Sequence, residues 1–203
     1  FHKKLGYMRS VFDFEKGVTG TAAMTGVIND KGAWFFVDTH VQLDPSAEQI
    51  AEATLMASYR LKLFGIEPKV ALLSHSNYGS HQDASADKMR RAYEIIRRRQ
   101  PKLEIDGEMM ADTAWDEALR QRIFPNTTLK GRANLLVMPN LDAANIGYNL
   151  IRVATGGVAI GPILMGLDQP AHILTPSSSS RRIVNMSAIV AVDAQIRAAQ
   201  QQD

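Results

Sequence analysis

The chain has 203 residues, of which 45% are hydrophobic, and its 23 basic and 21 acidic residues leave a net charge of only +2. This composition predicts a packed globular domain without a nucleic-acid or membrane partner, because it has neither a sequence-wide basic field nor an apolar run of ~18 residues. The absence of cysteine excludes disulfides and thiolate metal sites within the chain. No signal-peptide core follows the amino terminus, so we expect a cytoplasmic protein, and the opening without methionine indicates a fragment.

The first part of the chain predicts an antiparallel pair of strands, then a helix and a buried strand. Apolar runs at 21–28 and 34–37 flank the turn cluster Asn29-Asp30-Lys31-Gly32, and the run 70–73 is expected to form the next strand. Asp44 is expected to cap the intervening helix, with Pro45 in its first turn. The buried face of that helix is predicted to carry Ile50, Ala53, Ala57, Leu61 and Phe64.

A polar loop follows this strand and leads into a helix whose apolar face is expected to carry Met89, Tyr93 and Ile96. Because the loop lies at the carboxyl end of a strand, its hydroxyls, amide and glycine could bind a phosphate or pantetheine group. An equally supported interpretation is a polar surface connection with a helix cap. His75 and His81 lack zinc-site spacing, so no metal site is expected. The candidate ligand contacts in this loop are Ser74, Ser76, Asn77, Gly79 and Ser80.

The segment from 103 to 125 leaves more than one interpretation open. Residues 103–108 alternate as in a strand, whereas the pair Asp106-Gly107 alone indicates a hairpin turn. A paired-carboxylate acid and base site at Asp106 and Glu108 is a third alternative. Pro125 is expected to end the next helix, whose core face is predicted to carry Trp115, Leu119 and Ile123.

The stretch 134–166 is expected to form the centre of the functional site. Residues 135–138 predict a strand buried on both faces, and Asp142 is placed to cap the helix that follows. In open α/β sheets, ligands bind beyond the carboxyl ends of the strands, where helix amino ends present free N–H groups to anions. We therefore expect Asn140 and Asn145 at the mouth of a crevice, with the backbone of Gly161 and Pro162 at the same rim.

Two helices are predicted in the carboxyl-terminal part from apolar residues at helical spacing. The first ends at Gly156-Gly157, and its stripe consists of Ala143, Ile146, Leu150 and Val153. One of the serines 177–180 is expected to cap the second helix, whose stripe consists of Ile183, Met186 and Val190.

Four motifs in order, SHSNYGS, MPNLDAANIGYN, AIGPILMG and RRIVNMSAIVAVDAQ, resemble the phosphate acetyl/butyryltransferase family over roughly residues 13–194. Within that family, the sequences of these motifs are similar to those of the phosphotransacetylase-like carboxyl-terminal domain of large bacterial NADP-dependent malic enzymes. The resemblance implies a three-layer α/β/α fold with a mostly parallel sheet, akin to isocitrate and isopropylmalate dehydrogenases. It also implies a homo-oligomer with a crevice for acyl-CoA.

The same resemblance implies that residues 1–203 are one phosphotransacetylase-like domain that lacks its amino-terminal part. A malic enzyme catalytic half is expected to precede it in the same polypeptide. NADP and a divalent metal are expected only in that half. For the present domain the resemblance implies no cofactor, and acetyl-CoA or CoA as ligand.

The sequence departs from the active transferases of the family, which carry Asp-Leu-Ser-Arg after the AIGPIL block and an acid in the final helix. Counted without gaps from Pro170 to Asn185, the serine falls on Thr175, the arginine on Pro176 and the acid on Arg182. The family's anion-binding arginine falls on Val153, with Arg152 one position away. Because these changes remove or invert preorganised charges, we expect a pocket that binds without turnover. Thr175 is kept as a candidate ligand contact, and no catalytic residue is assigned.

Three functions remain open on the sequence. The leading hypothesis is a regulatory domain of an NADP-dependent malic enzyme that binds acetyl-CoA or a related acyl-CoA as allosteric effector. The second is an active phosphate acetyltransferase or butyryltransferase. The third is a structural oligomerisation domain, which would need no polar residues at a shared crevice.

Overall fold

A computed structural model describes residues 1–176 and 178–200, so Ser177, one of the predicted capping serines, lies outside the described residues. The central feature is a six-stranded sheet in the order β4-β3-β5-β2-β1-β6. Strand β1 alone runs antiparallel to its neighbours β2 and β6, whereas β2, β5, β3 and β4 pair in parallel. The strands are β1 Ala22–Asn29, β2 Gly32–Val37, β3 Lys69–Leu73, β4 Glu104–Met109, β5 Leu135–Val137 and β6 Val158–Met165.

Helices cover both faces of this mixed sheet. On one face, Phe35 and Val37 of β2 pack in a cluster with residues of α2, α3 and α7, and on the other face Phe36 packs with residues of α4 and α6. The alternation along β2 follows from the two-residue repeat of a strand. The helices of the described part of the chain are α1 His2–Arg9, α2 Ala47–Leu63, α3 Ala84–Arg99, α4 Ala111–Trp115, α5 Glu117–Ile123, α6 Leu141–Thr155 and α7 Ser180–Gln200. Within residues 1–176 and 178–200, none of these helices has the length and apolar character needed to cross a bilayer.

The predicted hairpin β1–β2 and the strands β3 and β5 are confirmed, whereas the hairpin turn at Asp106-Gly107 is wrong. Strand β4 continues through this pair, with Asp106 opposite Ala71 and Gly107 opposite Leu72 of β3, and the register shifts directly after it. The buried Asp106 carboxylate accepts a hydrogen bond from the Thr127 hydroxyl at 2.5 Å, so a partner distant in sequence satisfies it. A turn-forming pair is thus held inside a strand by tertiary contacts.

The cap of α2 is Ser46, so the prediction of Asp44 as the cap is wrong. The Ser46 hydroxyl accepts a hydrogen bond from the Gln49 N–H, and the Gln49 side chain accepts one from the Ser46 N–H, which forms a capping box. The Asp44 carboxylate lies 2.6 Å from the Lys88 ammonium group. The predicted buried stripe of α2 is confirmed at Ile50, Ala53, Ala57 and Leu61.

Two short helices replace the single helix expected before Pro125. The helix is interrupted at Asp116, whose carboxylate caps α5 by accepting the Leu119 N–H at 2.9 Å. Ile123 is 40% exposed, so its placement in the core is wrong, whereas Arg120 on the same helix is fully buried.

Helix α6 is capped by Asn140 and not by Asp142, which corrects that prediction. The Asn140 side-chain oxygen accepts the Ala143 N–H at 2.9 Å, and Asp142 lies in the first turn. The helix ends at Gly156, as predicted, in the left-handed conformation that glycine favours. Its packing face consists of Ala144 and Tyr148, so the apolar stripe lies on the surface instead, with the exposed residues Ile146, Leu150 and Val153.

Helix α7 begins after a cap provided by Ser179, whose hydroxyl accepts the Arg182 N–H at 3.3 Å. This agrees with the predicted capping segment. Met186 is buried, and Ile183 remains 45% exposed. Further along the helix, the buried Asp193 carboxylate forms an ion pair with Arg60 of α2, which ties the two helices together.

Candidate functional site

A groove of about 550 Å³ lies between α6, the start of β6 and the start of α7. Its charged side chains are Arg152, Arg181 and Arg182, with His40 at one end. Among the described residues that line this groove there is no aspartate or glutamate. The groove is therefore suited to a ligand with several negative charges.

A row of hydrogen bonds runs along the α6 wall of the groove. An Arg152 Nη donates to the Asn149 side-chain oxygen at 3.5 Å, and Asn149 Nδ2 donates to the Asn145 side-chain oxygen at 3.2 Å. Asn145 Nδ2 in turn donates to the backbone oxygen of Thr39 at 3.3 Å. The three side chains share one helix face because they are spaced by four and three residues. Asn145 is thereby connected to Arg152 through Asn149 and to the segment that bears His40 through Thr39.

Two titratable groups shape the end of the groove next to β2. The buried Asp38 carboxylate accepts the backbone N–H groups of His40, Val41 and Gln42 at 2.8, 3.0 and 3.1 Å. Burial raises the pKa of Asp38 to about 6, although these N–H groups act to lower it. Burial, with help from the nearby Arg182 charge, lowers the pKa of His40 to about 4. At neutral pH, Asp38 is therefore ionised and His40 is neutral.

These two groups make opposite contributions to the pH dependence of stability. Asp38 binds its proton more tightly in the fold than in the unfolded chain, so it contributes stability at low pH that is lost as the pH rises from 3.8 through about 6. His40 contributes stability at neutral pH that is lost as the pH falls from 6.5 through about 4. Urea unfolding should be measured at several values between pH 4 and 7 for the wild type, Asp38→Asn and His40→Gln.

Relative to the wild type, Asp38→Asn should gain roughly 2 kcal/mol in free energy of unfolding between pH 4 and pH 7. His40→Gln should lose roughly 2 kcal/mol over the same interval, after a discount for its partial exposure. Subtracting the wild-type curve of unfolding free energy against pH removes the contributions of the titratable groups that wild type and variant share. Difference curves of the same sign for the two variants would contradict the assignment.

The α7 wall is attached to β6 by Arg182. Its Nε donates to the Gly161 backbone oxygen at 2.7 Å. Gly161 has a φ of +109°, and a Cβ at this position would lie 2.8 Å from the Met24 oxygen of β1. The glycine is therefore required by the close approach of β1 and β6. Gly161 and Pro162 are buried within β6 and do not line the groove, and Gly161 is linked to it through Arg182.

The predicted binding loop 74–80 is organised around Glu108 of β4. One carboxylate oxygen of Glu108, Oε1, accepts the Ser76 hydroxyl at 2.7 Å, the Gly79 N–H at 2.8 Å and an Arg90 Nη at 2.8 Å. Glu108 and Ser76 are both fully buried, so these donors are engaged within the chain. Asp106 and Glu108 have separate partners and do not form a shared carboxylate pair.

The other polar residues of this loop also bond to one another or to Met110, the residue after β4. The Ser74 hydroxyl accepts the Ser76 N–H at 3.2 Å, and the Ser80 hydroxyl accepts the Asn77 N–H at 3.0 Å. The Asn77 side-chain oxygen accepts the Met110 N–H at 2.8 Å. Gly79 and Ser80 are exposed, as is His75, so the accessible surface of the loop is provided by these three residues.

Of the predicted ligand contacts, Asn145 lines the groove, and Asn140 caps the helix that bears it. Thr175 is half-buried in the turn before α7, where its N–H donates to the Ser178 hydroxyl at 3.2 Å. The loop 74–80 lies two strands away from β2, so the structure does not join it to the groove. Sequence reasoning missed His40, Asn149 and Arg181, although the spacing of Asn145, Asn149 and Arg152 on one helix face could have indicated this wall.

Comparison with known proteins gives one consistent family. A family model described as phosphate acetyl/butaryl transferase matches residues 2–191. Over 196 residues the chain is 50% identical to the NADP-dependent malic enzyme of Escherichia coli (strain K12), covering 96% of the chain and 26% of that enzyme. It is 42% identical over 163 residues to the phosphate acetyltransferase of Paracoccus denitrificans, covering 80% of the chain and 51% of that enzyme.

A solved structure supports the same relationship at the level of the fold. A phosphotransacetylase from Streptococcus pyogenes has a TM-score of 0.89 and 31% identity to the chain, covering 94% of the chain and 58% of its own polypeptide. The chain therefore spans about a quarter of the length of the malic enzyme and about half of the length of the transferases.

Proposed function

Because the chain belongs to the phosphate acetyl/butaryl transferase family, we propose that it is the phosphotransacetylase-like regulatory part of an NADP-dependent malic enzyme. In this proposal it binds acetyl-CoA or a related acyl-CoA as an allosteric effector. The observation that carries the proposal is the groove lined by Arg152, Arg181 and Arg182 without an opposing carboxylate among its described lining residues. Coenzyme A carries a pyrophosphate and a 3′-phosphate, which are suitable partners for guanidinium groups.

The same side chains support binding without acyl transfer. Arg182, which falls on the position of the family acid, lines the groove and donates to Gly161, so a cation replaces a carboxylate there. Pro176, on the position of the family arginine, is exposed and has no side-chain donor. Val153, on the position of the anion-binding arginine, is 72% exposed, whereas the adjacent Arg152 points into the groove.

Acetyl-CoA should raise the melting temperature of the chain, because a ligand that binds only the folded state stabilises it. At about 100 times the dissociation constant the gain is about 2.7 kcal/mol, which corresponds to a rise of roughly 5–11 °C for a domain of this size. Differential scanning fluorimetry measures this rise, and a parallel assay follows exchange of acetyl between phosphate and coenzyme A. We expect the thermal shift and negligible exchange.

The two alternative functions give different results in these assays. Exchange at ordinary enzyme rates of ~1–1000 per second would favour the acyltransferase. No thermal shift with acetyl-CoA, free CoA or longer acyl-CoAs at millimolar concentration would favour the structural oligomerisation domain. The loop 74–80 and Thr175 remain proposed ligand contacts, and their alanine variants can be compared in the same assay.

The wider setting of the proposal includes a malic enzyme catalytic domain in cis, with its NADP and divalent metal, in a cytoplasmic protein. An effector regulates such an enzyme only if it binds two states of the polypeptide with different affinities. We also propose a homo-oligomer, which the exposed apolar stripe of Ile146, Leu150 and Val153 on α6 supports. The relationship to isocitrate and isopropylmalate dehydrogenases remains part of the proposal, and the helices on both faces of the sheet support it.

A further inference from the structure

His40 is held at the β2 end of the groove by a buried pair of hydroxyls. The Thr25 and Thr39 hydroxyl oxygens are 2.6 Å apart, and the Thr39 hydroxyl oxygen is 2.8 Å from His40 Nδ1. Thr25 and Thr39 are almost completely buried, so this arrangement is shielded from solvent. With Nδ1 engaged, Nε2 is the ring nitrogen that remains for a ligand in the groove.

The charged groups near His40 come from three parts of the chain. Arg182 of α7 and His2 near the start of the chain both disfavour a positive charge on the imidazole. The Asp38 carboxylate accepts the His40 backbone N–H. The neighbours from α6 and β1, Asn145 and Thr25, are uncharged. In the absence of ligand, burial and these cations keep the pKa of His40 at about 4.

We propose that His40 takes up a proton when a polyanionic ligand binds in the groove, so that the groove binds acyl-CoA more tightly at pH 5.5 than at pH 7.5. This inference rests on the proposed function and adds a regulation of the same site. The ligand brings negative charge into a groove that three arginines line and in which Arg182 already repels an imidazolium. Binding makes the charge around the ring negative instead of positive, so the His40 imidazole becomes protonated.

The expected size follows from the interaction of one charge pair. A negative charge ~5 Å from the ring, at an effective dielectric constant of ~20, increases the proton affinity of an imidazole roughly a hundredfold. Because linkage is reciprocal, the protonated site binds the anion more tightly by the same factor. With His40 only partly protonated at pH 5.5, the gain in affinity from pH 7.5 to pH 5.5 should be about fivefold.

The test is isothermal titration of the 203-residue chain with acetyl-CoA at both pH values. At pH 5.5 the titration is repeated in buffers of different ionisation enthalpy, which gives the number of protons taken up. Wild type is compared with His40→Gln and with His81→Gln, a matched control at an exposed histidine that does not line the groove. A third variant, Asp38→Asn, removes the other group that titrates in this range. The ligand phosphates titrate equally with all four proteins, so their contribution cancels when the proteins are compared with one another.

We expect wild type, His81→Gln and Asp38→Asn to show the same gain in affinity from pH 7.5 to pH 5.5 and the same proton uptake. In His40→Gln this gain in affinity should be smaller by a factor of about five. An equal gain in His40→Gln would overturn the inference and leave the proposed function intact. Loss of the gain in Asp38→Asn alone would assign the proton to Asp38 and overturn it as well. Absence of binding at both pH values would overturn the proposed function itself. Circular dichroism at each pH verifies that every variant is folded.

Discussion

Replacement of Arg120 by methionine is expected to lower the free energy of unfolding by about 3–5 kcal/mol. Arg120 is fully buried, and its guanidinium donates to the backbone oxygens of four residues at 2.6–3.2 Å: Thr113, Ala114, Leu129 and Gly131. These bonds connect the end of α4 to the segment that leads into β5. Methionine fills a similar volume but leaves the four carbonyl groups without this donor.

The loss should appear as a fall of about 6–20 °C in melting temperature, followed by circular dichroism. Arg122→Met is the matched control, because Arg122 lies on the same helix and is exposed. Arg120→Lys should recover only part of the loss, since an ammonium group cannot reproduce the fork of a guanidinium. If Arg120→Met were as stable as Arg122→Met, water would have to satisfy the carbonyl groups and the proposed role would be wrong.

Much of the fold could be predicted because local patterns and packing agree there. The hairpin β1–β2 has a turn-forming cluster between two apolar runs, and α2 carries an apolar stripe that does face the sheet. Gly156 ends α6 at the expected residue. In each case, short-range chemistry and burial favour the same structure.

The failures lie where tertiary contacts override the local pattern. Asp106-Gly107 is a turn-forming pair, but pairing with β3 and the contact with Thr127 hold it inside β4. In α6 the helical spacing of the apolar residues is correct. However, Ala144 and Tyr148 pack on the sheet, and the predicted apolar stripe faces outward. Helical periodicity gives the relative positions of side chains, but it does not show which face is covered.

The functional site was only partly predictable for a similar reason. Asn145 was expected at the crevice, but His40 comes from a loop that the pairing of β2 with β5 places next to α6. The loop 74–80 has the composition of a phosphate site, and the buried Glu108 engages donors that composition would assign to a ligand. A sequence pattern cannot distinguish a bound anion from a carboxylate supplied by the same chain.

Reversal of two charges in the groove, Arg152→Glu with Arg181→Glu, should weaken acetyl-CoA binding at least about a hundredfold. Both side chains line the groove, and Arg182 is left unchanged because it also holds Gly161. One charge pair at 4 Å contributes about 1 kcal/mol in water and about 4 kcal/mol near a protein surface, and reversal replaces attraction by repulsion at two positions. A hundredfold loss corresponds to about 2.7 kcal/mol.

The matched control is Arg98→Glu with Arg99→Glu, because both arginines are exposed at the end of α3 and the change in net charge is the same. The measurement that tests the central claim is the dissociation constant of acetyl-CoA, determined by isothermal titration at low salt for the wild type and both double variants. We predict binding to the wild type, an affinity within about threefold for the control, and a loss of at least about a hundredfold for the groove variant. Equal affinity of the two double variants for acetyl-CoA would show that the groove between α6, β6 and α7 is not the ligand site.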